Sequence, residues 1–207
     1  MNTTGIDVQK SNERLLKALF SNRGLTYLVE VGAAELGNPV LVVDPTYHYA
    51  ARAGIELDDA DDSAFAHIIR SESIDEVIAD EGIRYIEETG VDEELARAHG
   101  AVLRHNPLYE LDALTQDVVA GGICLGRVMT LAKNHPFGEA DRAVFDRLVA
   151  LVAQELQKGG FLSSKDSQAG PYFLARLLDD EQPNPIHTAR RMKLVGFSPL
   201  STLFVVT

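Results

Sequence analysis

The spacing of apolar residues predicts an alternation of amphipathic helices and short strands. Helical spacing occurs near the start, in the middle and before a pair of glycines at 159–160. Short β-branched or alternating runs lie between these helices, bounded by glycine, proline or asparagine. The predicted helices cover 11–21, 24–37, 65–69, 73–89, 92–99 and 138–158, and the predicted strands cover 39–44, 47–52, 101–105, 117–120 and 123–132.

Local signals predict where several helices begin and end. Ser11 is expected to open the first helix. The stretch SIDE at 73–76 has the form of a capping box, in which Ser73 caps the amide three residues on and Glu76 reaches back. Gly90 and Gly100 are expected to end the two helices that follow.

The last two predicted strands form a hairpin around Gly121-Gly122, because glycine adopts the positive φ angles of a tight turn. The alternation of side chains places Val128 on one face of the second strand and Arg127 and Met129 on the other. Gly126 within that strand predicts a bulge or a close approach of another backbone.

The last helix is apolar over a wider arc than one surface requires. One stripe can cover the sheet, so the other needs either the N-terminal helices or a second subunit. The sequence does not decide between these two alternatives, and the second subunit is the basis for predicting a homodimer. The stripes are Val144, Leu148, Leu151 and Glu155, and next to them Phe145, Val149, Val152 and Leu156.

Composition excludes several classes of function. The net charge is −12, from 19 Lys+Arg against 31 Asp+Glu. Because a chain this acidic is repelled by phosphate groups, it is not expected to bind nucleic acid itself. No apolar run approaches the ~20 residues that cross a bilayer, and the first residues lack an apolar signal core, which predicts a cytoplasmic protein without membrane contact. A single cysteine, Cys124, excludes an internal disulfide and a thiolate metal cluster.

Motifs of catalysis are missing from the sequence. The six histidines show no metal-binding spacing, and there is no nucleophile elbow, phosphate-binding loop or dinucleotide fingerprint. Cys124 lies within an apolar strand, where a buried, inert thiol is expected. We therefore expect no enzyme, no catalytic residue, no metal and no cofactor.

Polar and aromatic residues on or beside strands are the candidates for ligand binding. A sheet with a helical insertion over it, residues 55–100, leaves room for a pocket between the two. Long cations seldom point into a sheet face without a partner, although each arginine can instead lie at the rim and reach water. The candidates are Tyr49, Arg104, His105 and Arg127.

The order of these elements resembles a GAF domain over about residues 24–158. Members of that family show a glycine in the second strand of a pair and then Phe-x-x-x-Asp before the long C-terminal helix, here Gly126, Phe137 and Asp141. Cyclic-nucleotide-binding members carry Asn-Lys before that motif, whereas this chain has Lys133-Asn134. A Lys133–Asp141 contact is possible, but cyclic nucleotide is not supported.

The resemblance implies an α+β fold. The expected architecture is a GAF-like antiparallel sheet with the N- and C-terminal helices on one face and a helical insertion over the other. Residues 1–23 are expected to form a helical lead-in, 24–158 the GAF-like domain, 159–170 a linker and 171–207 a truncated second-domain segment.

The stretch 171–207 resembles the start of the GGDEF-like middle domain of PucR/CdaR-type bacterial transcriptional regulators. That resemblance implies a sensory domain that binds an unknown small-molecule effector, dimerises, and reaches DNA only through a missing C-terminal domain. The alternative is a ligand-free structural dimerisation module, its pocket filled by Phe65, Ile69, Met129 and Leu131. An enzyme would require Tyr49, Arg104 and His105 to converge.

Overall fold

A computed structural model describes residues 6–158 of the protein, apart from 46, 59, 76, 77, 79 and 122. The predictions for 159–170 and 171–207 lie outside the described residues. The helices are α1 (Val8–Phe20), α2 (Leu25–Leu36), α3 (Ala64–Asp75), α4 (Asp80–Thr89), α5 (Val91–Arg97) and α6 (Glu139–Lys158), and the strands are β1 (Val40–Val43), β2 (Tyr49–Ala53), β3 (Val102–Asn106), β4 (Leu111–Ala120) and β5 (Ile123–Leu131).

The five strands form one antiparallel sheet in the order β2-β1-β5-β4-β3. Helices α1, α2 and α6 pack on the inner face of this sheet, and α3, α4 and α5 lie over its outer face. The expected α+β architecture is confirmed. Within the described residues, no helix combines the length and the hydropathy needed to cross a membrane.

Both apolar stripes of α6 are buried within this one chain. Val144 and Leu148 are fully buried in the inner core, as are Phe145 and Val152 of the neighbouring stripe. Helices α1 and α2 supply the second cover, and Gly32 of α2 lets Leu148 approach so closely that an added Cβ would lie 2.6 Å from its Cδ2. The homodimer therefore remains a prediction, and α6 leaves no exposed apolar stripe that would support it.

Helix α1 begins one turn earlier than the sequence suggests. Asp7 is the cap and accepts the amide of Lys10 at 3.1 Å, so the assignment of Ser11 as the cap was wrong. Ser11 is buried and donates to Glu35 of α2 at 2.7 Å. Burial raises the pKa of Glu35, but hydrogen bonds from Arg14 and Ser11 outweigh it, and the net pKa is lowered.

The helix start predicted at Ser73 was also wrong, because this residue lies inside α3, which begins at Ala64. The cap of α3 is Ser63, whose hydroxyl accepts the amide of Ala66 at 3.2 Å. Strand β4 is longer than predicted, since it begins at Leu111 and pairs with β3 as well as β5.

Asn38 fixes the loop before α6 to the end of α2. Its buried side chain donates to the carbonyl of His135 at 3.0 Å and accepts the amide of Asn134 at 2.9 Å. Asn134 in turn donates to the carbonyl of Gly37 at 2.8 Å, and His135 Nε2 lies 2.9 Å from that of Leu36. Two segments about a hundred residues apart in sequence are thus held by one polar network.

The Phe-x-x-x-Asp motif closes the same loop onto the helix layer. Phe137 packs against the inner core, and Asp141 accepts the amide of Gly138 at 2.8 Å in the first turn of α6. Lys133 does not reach Asp141. Its ammonium lies 3.6 Å from Asp61 and 4.6 Å from the centre of the Phe65 ring, so it ties the insertion to the sheet instead.

Candidate functional site

The outer face of the sheet is divided between a packed part and an open part. Under α3, buried side chains pack into a cluster that we call the outer cluster. Three of the four residues expected to fill a ligand-free pocket are buried members, and Met129 packs at its edge. The outer cluster contains Leu41, Phe65, Ile69, Tyr109, Ala113 and Leu131.

Under α4 and α5 the same face is open and contains two adjoining cavities. The apolar chamber has a volume of about 70 Å³, and the polar chamber has about 250 Å³. The two share Val43, Ile78 and Arg127, so Arg127 stands at the boundary between them. Characteristic residues of the apolar chamber are Tyr85, Ile86, Val91, Leu95 and Met129, and those of the polar chamber are Asp44, Tyr47, Asp92, Asp117 and Cys124.

Arg127 joins three elements through two charged hydrogen bonds. Its Nε donates to Asp117 Oδ1 of β4 at 2.7 Å, and its Nη2 donates to Asp92 Oδ1 of α5 at 2.8 Å. All three side chains are less than one-fifth exposed. Charge-assisted bonds of this length are the strong ones in proteins, so Arg127 anchors α5 to the sheet.

The two carboxylates also keep Arg127 charged. Burial opposes the charge of the guanidinium, but the attraction and hydrogen bonds of Asp117 and Asp92 exceed that penalty, and the net pKa of Arg127 is raised. This side chain is therefore a permanent cation whose charge is already matched by protein carboxylates.

The structure brings two of the four candidate ligand residues together. Arg104 lines the apolar chamber with Arg127 and pairs with Glu94 of α5 at 2.8 Å. His105 is 62% exposed and contacts Asp112 at 3.1 Å, so it lines neither chamber. Tyr49 packs against the outer cluster.

Tyr49, Arg104 and His105 do not converge. Tyr49 belongs to β2 and the other two to β3, the opposite edges of the sheet. With a spacing of about 4.8 Å between neighbouring strands, these edges lie roughly 19 Å apart. The arrangement on which an enzymatic hypothesis depended is not formed by these three residues.

The carboxylates around Arg127 were not among the sequence candidates, although one of them could have been found. A hairpin closed at Gly121-Gly122 with a bulge at Gly126 places Asp117 directly opposite Arg127, as observed. Asp92 carries no such signal, because its contact with Arg127 depends on where α5 lies over the sheet.

Gly126 confirms the expected close approach of another backbone. Its φ is +154°, and an added Cβ would lie 2.5 Å from the carbonyl oxygen of Val43 on β1. The register of β4 against β5 shifts between Val118 and Val119, opposite this glycine, which also confirms the bulge. The bulge sets the position of Arg127 at the chamber boundary.

The turn between β1 and β2 forms one end of the polar chamber. Tyr47 has a φ of 67°, which is uncommon for an aromatic residue. Its amide donates to the carbonyl of Asp44 at 3.0 Å, and its carbonyl accepts the amide of Ile78 at 2.9 Å. The turn therefore also holds Ile78, which lies between α3 and α4 in sequence, against the chamber.

Cys124 lines the polar chamber as a protonated thiol. Burial and the charge of Asp117 raise its pKa from 9.0 to about 11, and Sγ donates to the carbonyl of Gly126 at 3.4 Å. The expected inert thiol is consistent with this environment. Among the described residues, no group of three His, Cys, Asp or Glu side chains is arranged to hold a metal ion.

The raised pKa predicts slow chemistry and a defined pH dependence. At pH 7.5 Cys124 should react with a disulfide reagent far more slowly in the native protein than in urea. In the unfolded chain the Cys124 thiol has its ordinary pKa of 9.0. The contribution of this thiol to the free energy of unfolding is therefore constant below pH 9.0 and falls as the pH rises toward about 11. Urea unfolding at pH 8 and pH 10.5, compared with Cys124→Ala, measures this, and equal losses in both proteins would contradict it.

Comparison with known proteins finds similar solved structures, which are GAF domains, but does not assign the chain to a family. No protein-family model matches the chain, and no curated protein matches it. The GAF domain of an Acinetobacter phosphoenolpyruvate-protein phosphotransferase shares 12% identity at a TM-score of 0.48, covering 80% of this chain and 100% of that chain.

Two further solved structures are similar at the same level of identity. The cofactor-binding GAF domain of the nutrient sensor CodY from Clostridium difficile shares 12% at a TM-score of 0.43, over 74% of this chain and 99% of that one. The GAF domain of a phosphoenolpyruvate-protein phosphotransferase from Coxiella burnetii shares 12% sequence identity at a TM-score of 0.43. The match covers 75% of this chain and 96% of that chain. At these levels of similarity, the function of the protein has to be argued from its site.

Proposed function

We propose that the protein is a regulatory domain that senses a small molecule held between the sheet and helices α4 and α5. The observation that carries this proposal is the pair of chambers on the outer face, with the Asp92–Arg127–Asp117 network in their wall. Concave, mainly apolar sites with a few converging polar groups are typical of small-molecule binding.

The same network supports a route for the signal. A ligand beside Arg127 changes the environment of Asp92, which Arg127 contacts. Because Asp92 belongs to α5, the ligand also changes which position of α5 is most stable. On β5, Arg127 is followed by Val128, which packs on the inner face against the helix layer containing α6. Binding then favours one arrangement of α5 and the terminal helices over another, which is a population shift.

The wider context we propose is a bacterial transcriptional regulator of the PucR/CdaR type. The resemblance of 171–207 supports this context, in which the sensory domain controls a separate DNA-binding module. The proposal includes a cytoplasmic, non-enzymatic role and a homodimer. The net charge of −12 agrees with DNA contact through another module.

Native mass spectrometry on the full chain, after incubation with a small-molecule extract of cells, tests the sensor. Ala96 on α5 is exposed and lines the polar chamber, so Ala96→Phe should fill that chamber with little change in stability. The control is Ala143→Phe, an equal change on the exposed side of α6. We expect an added mass on the wild type and the control, and none on Ala96→Phe.

Bare polypeptide in all three samples would contradict the sensor. It would favour a ligand-free structural module, a hypothesis that the outer cluster supports, because Phe65, Ile69 and Leu131 are already packed on this face. Equal added mass on all three proteins would contradict the polar chamber as the site.

A further inference from the structure

The polar chamber has an unbalanced charge. Among the described residues that line it, Asp44, Asp92 and Asp117 carry carboxylates and Arg127 carries the cation. His48 lies 3.9 Å from Asp44, but the balance stays negative even when this imidazole is protonated. A cavity whose walls carry excess negative charge concentrates cations and repels anions.

Arg127 does not offset this imbalance for an incoming anion. Its Nε and Nη2 are committed to Asp117 and Asp92 at 2.7 and 2.8 Å. An anionic ligand that reached the remaining N–H groups of Arg127 would lie beside both carboxylates, which is a like-charge contact. A cationic ligand does not meet this repulsion.

Arg104, the other basic residue among the described residues that line the two chambers, is also paired and lies away from the polar chamber. Arg104 lines the apolar chamber, where its Nη1 donates to Glu94 Oε2 at 2.8 Å. At the opposite end, Tyr47 contributes an aromatic residue to the polar chamber, and aromatic faces attract ammonium groups. Both features favour a positive charge at the end of the site that contains Asp44.

The part of the site beyond Arg127 suits an apolar group. Val43 and Ile78 continue from the polar chamber into the apolar one, which Ile86, Leu95 and Met129 extend. A molecule that spans both chambers therefore meets carboxylates at one end and aliphatic side chains at the other. Burying an aliphatic chain there removes apolar surface from water, which is favourable.

We propose that the ligand is a small organic cation, an ammonium group on an apolar body, with its charge in the polar chamber and its body in the apolar chamber. This inference rests on the proposed sensory function, whose site it specifies. It predicts that amines are selected over carboxylic acids of the same size and shape.

The test uses three probes with the same six-carbon chain and different end groups: hexylammonium, 1-hexanol and hexanoate. Their affinities for the full chain are measured by isothermal titration calorimetry at pH 7.5. We expect hexylammonium to bind at least about tenfold more tightly than hexanoate, with the alcohol between them, because only the end group changes its interaction with the carboxylates.

Two variants locate the binding. Asp44→Asn removes a charge from the polar chamber and keeps an oxygen that can accept the amide of His48, now held by Asp44 at 3.0 Å. This variant should bind hexylammonium about tenfold more weakly than the wild type and bind hexanol with unchanged affinity. Asp112→Asn removes the same charge from the exposed start of β4, outside both chambers, and should change neither.

The outcomes separate the ligand class from the site. Hexanoate binding as tightly as hexylammonium, or an equal loss in Asp44→Asn and Asp112→Asn, would overturn the organic cation while leaving the sensory site standing. No binding of any probe to the wild type, together with no added mass after incubation with the extract, would overturn both proposals.

Discussion

Replacing Arg127 with methionine is expected to lower the free energy of unfolding by about 3 kcal/mol, because it leaves two largely buried carboxylates without their cation. Methionine retains most of the apolar length of arginine, so the loss reports the charge rather than a cavity. Asp92 and Asp117, both less than one-fifth exposed, would then repel each other. Urea unfolding followed by circular dichroism measures the change.

The matched control is Arg14→Met. Arg14 is 53% exposed and pairs with Glu35 at 2.7 Å, so its removal should cost less than about 1 kcal/mol. Adding Asp92→Asn and Asp117→Asn to Arg127→Met should recover part of the lost stability, because the uncompensated charges are then gone. Equal losses in Arg14→Met and Arg127→Met would contradict the role of the network.

Gly126→Ala is expected to destabilise the protein by about 3 kcal/mol, from a strained backbone angle and a clash with a neighbouring strand. A side chain at a φ of +154° is unfavourable in itself. The added methyl would also lie 2.5 Å from the carbonyl oxygen of Val43, a backbone atom that cannot move without breaking the pairing of β1 with β5.

Gly121→Ala separates these two causes. Gly121 also has a positive φ, +58°, but nothing lies within 4 Å of an added Cβ, so only the backbone cost of about 1 kcal/mol applies. Thermal unfolding of both variants gives the comparison. A loss in Gly126→Ala no larger than in Gly121→Ala would show that β1 does not restrict this position.

Much of the fold follows from local patterns that the sequence displays. Period-2 alternation assigned Arg127 and Met129 to one face of β5 and Val128 to the other, as observed. Gly126 indicated a bulge and Gly90 the end of α4, because each marks a backbone angle that other residues avoid. The two faces of the sheet and their helices were therefore predictable.

Contacts between distant segments were not predictable in the same way. Asp7 caps α1, and Ser11 lies within the helix with its hydroxyl bonded to Glu35 of α2, a partner that only the packed helices supply. The contact of Asp92 with Arg127 likewise depends on the docking of α5. The separation of Arg104 and His105 was, by contrast, predictable, because alternation along β3 places one in the apolar chamber and the other at the surface.

The arrangement of the two chambers and the outer cluster along β5 sets a limit on size. The polar chamber begins near Cys124, the apolar chamber reaches Met129, and the outer cluster closes the face at Leu131. Five residues of strand rise about 16 Å, and the bulge at Gly126 shortens that distance. In the proposed site, a molecule lying along β5 meets the outer cluster at Leu131, so we expect its binding to depend on its length as well as on its charge.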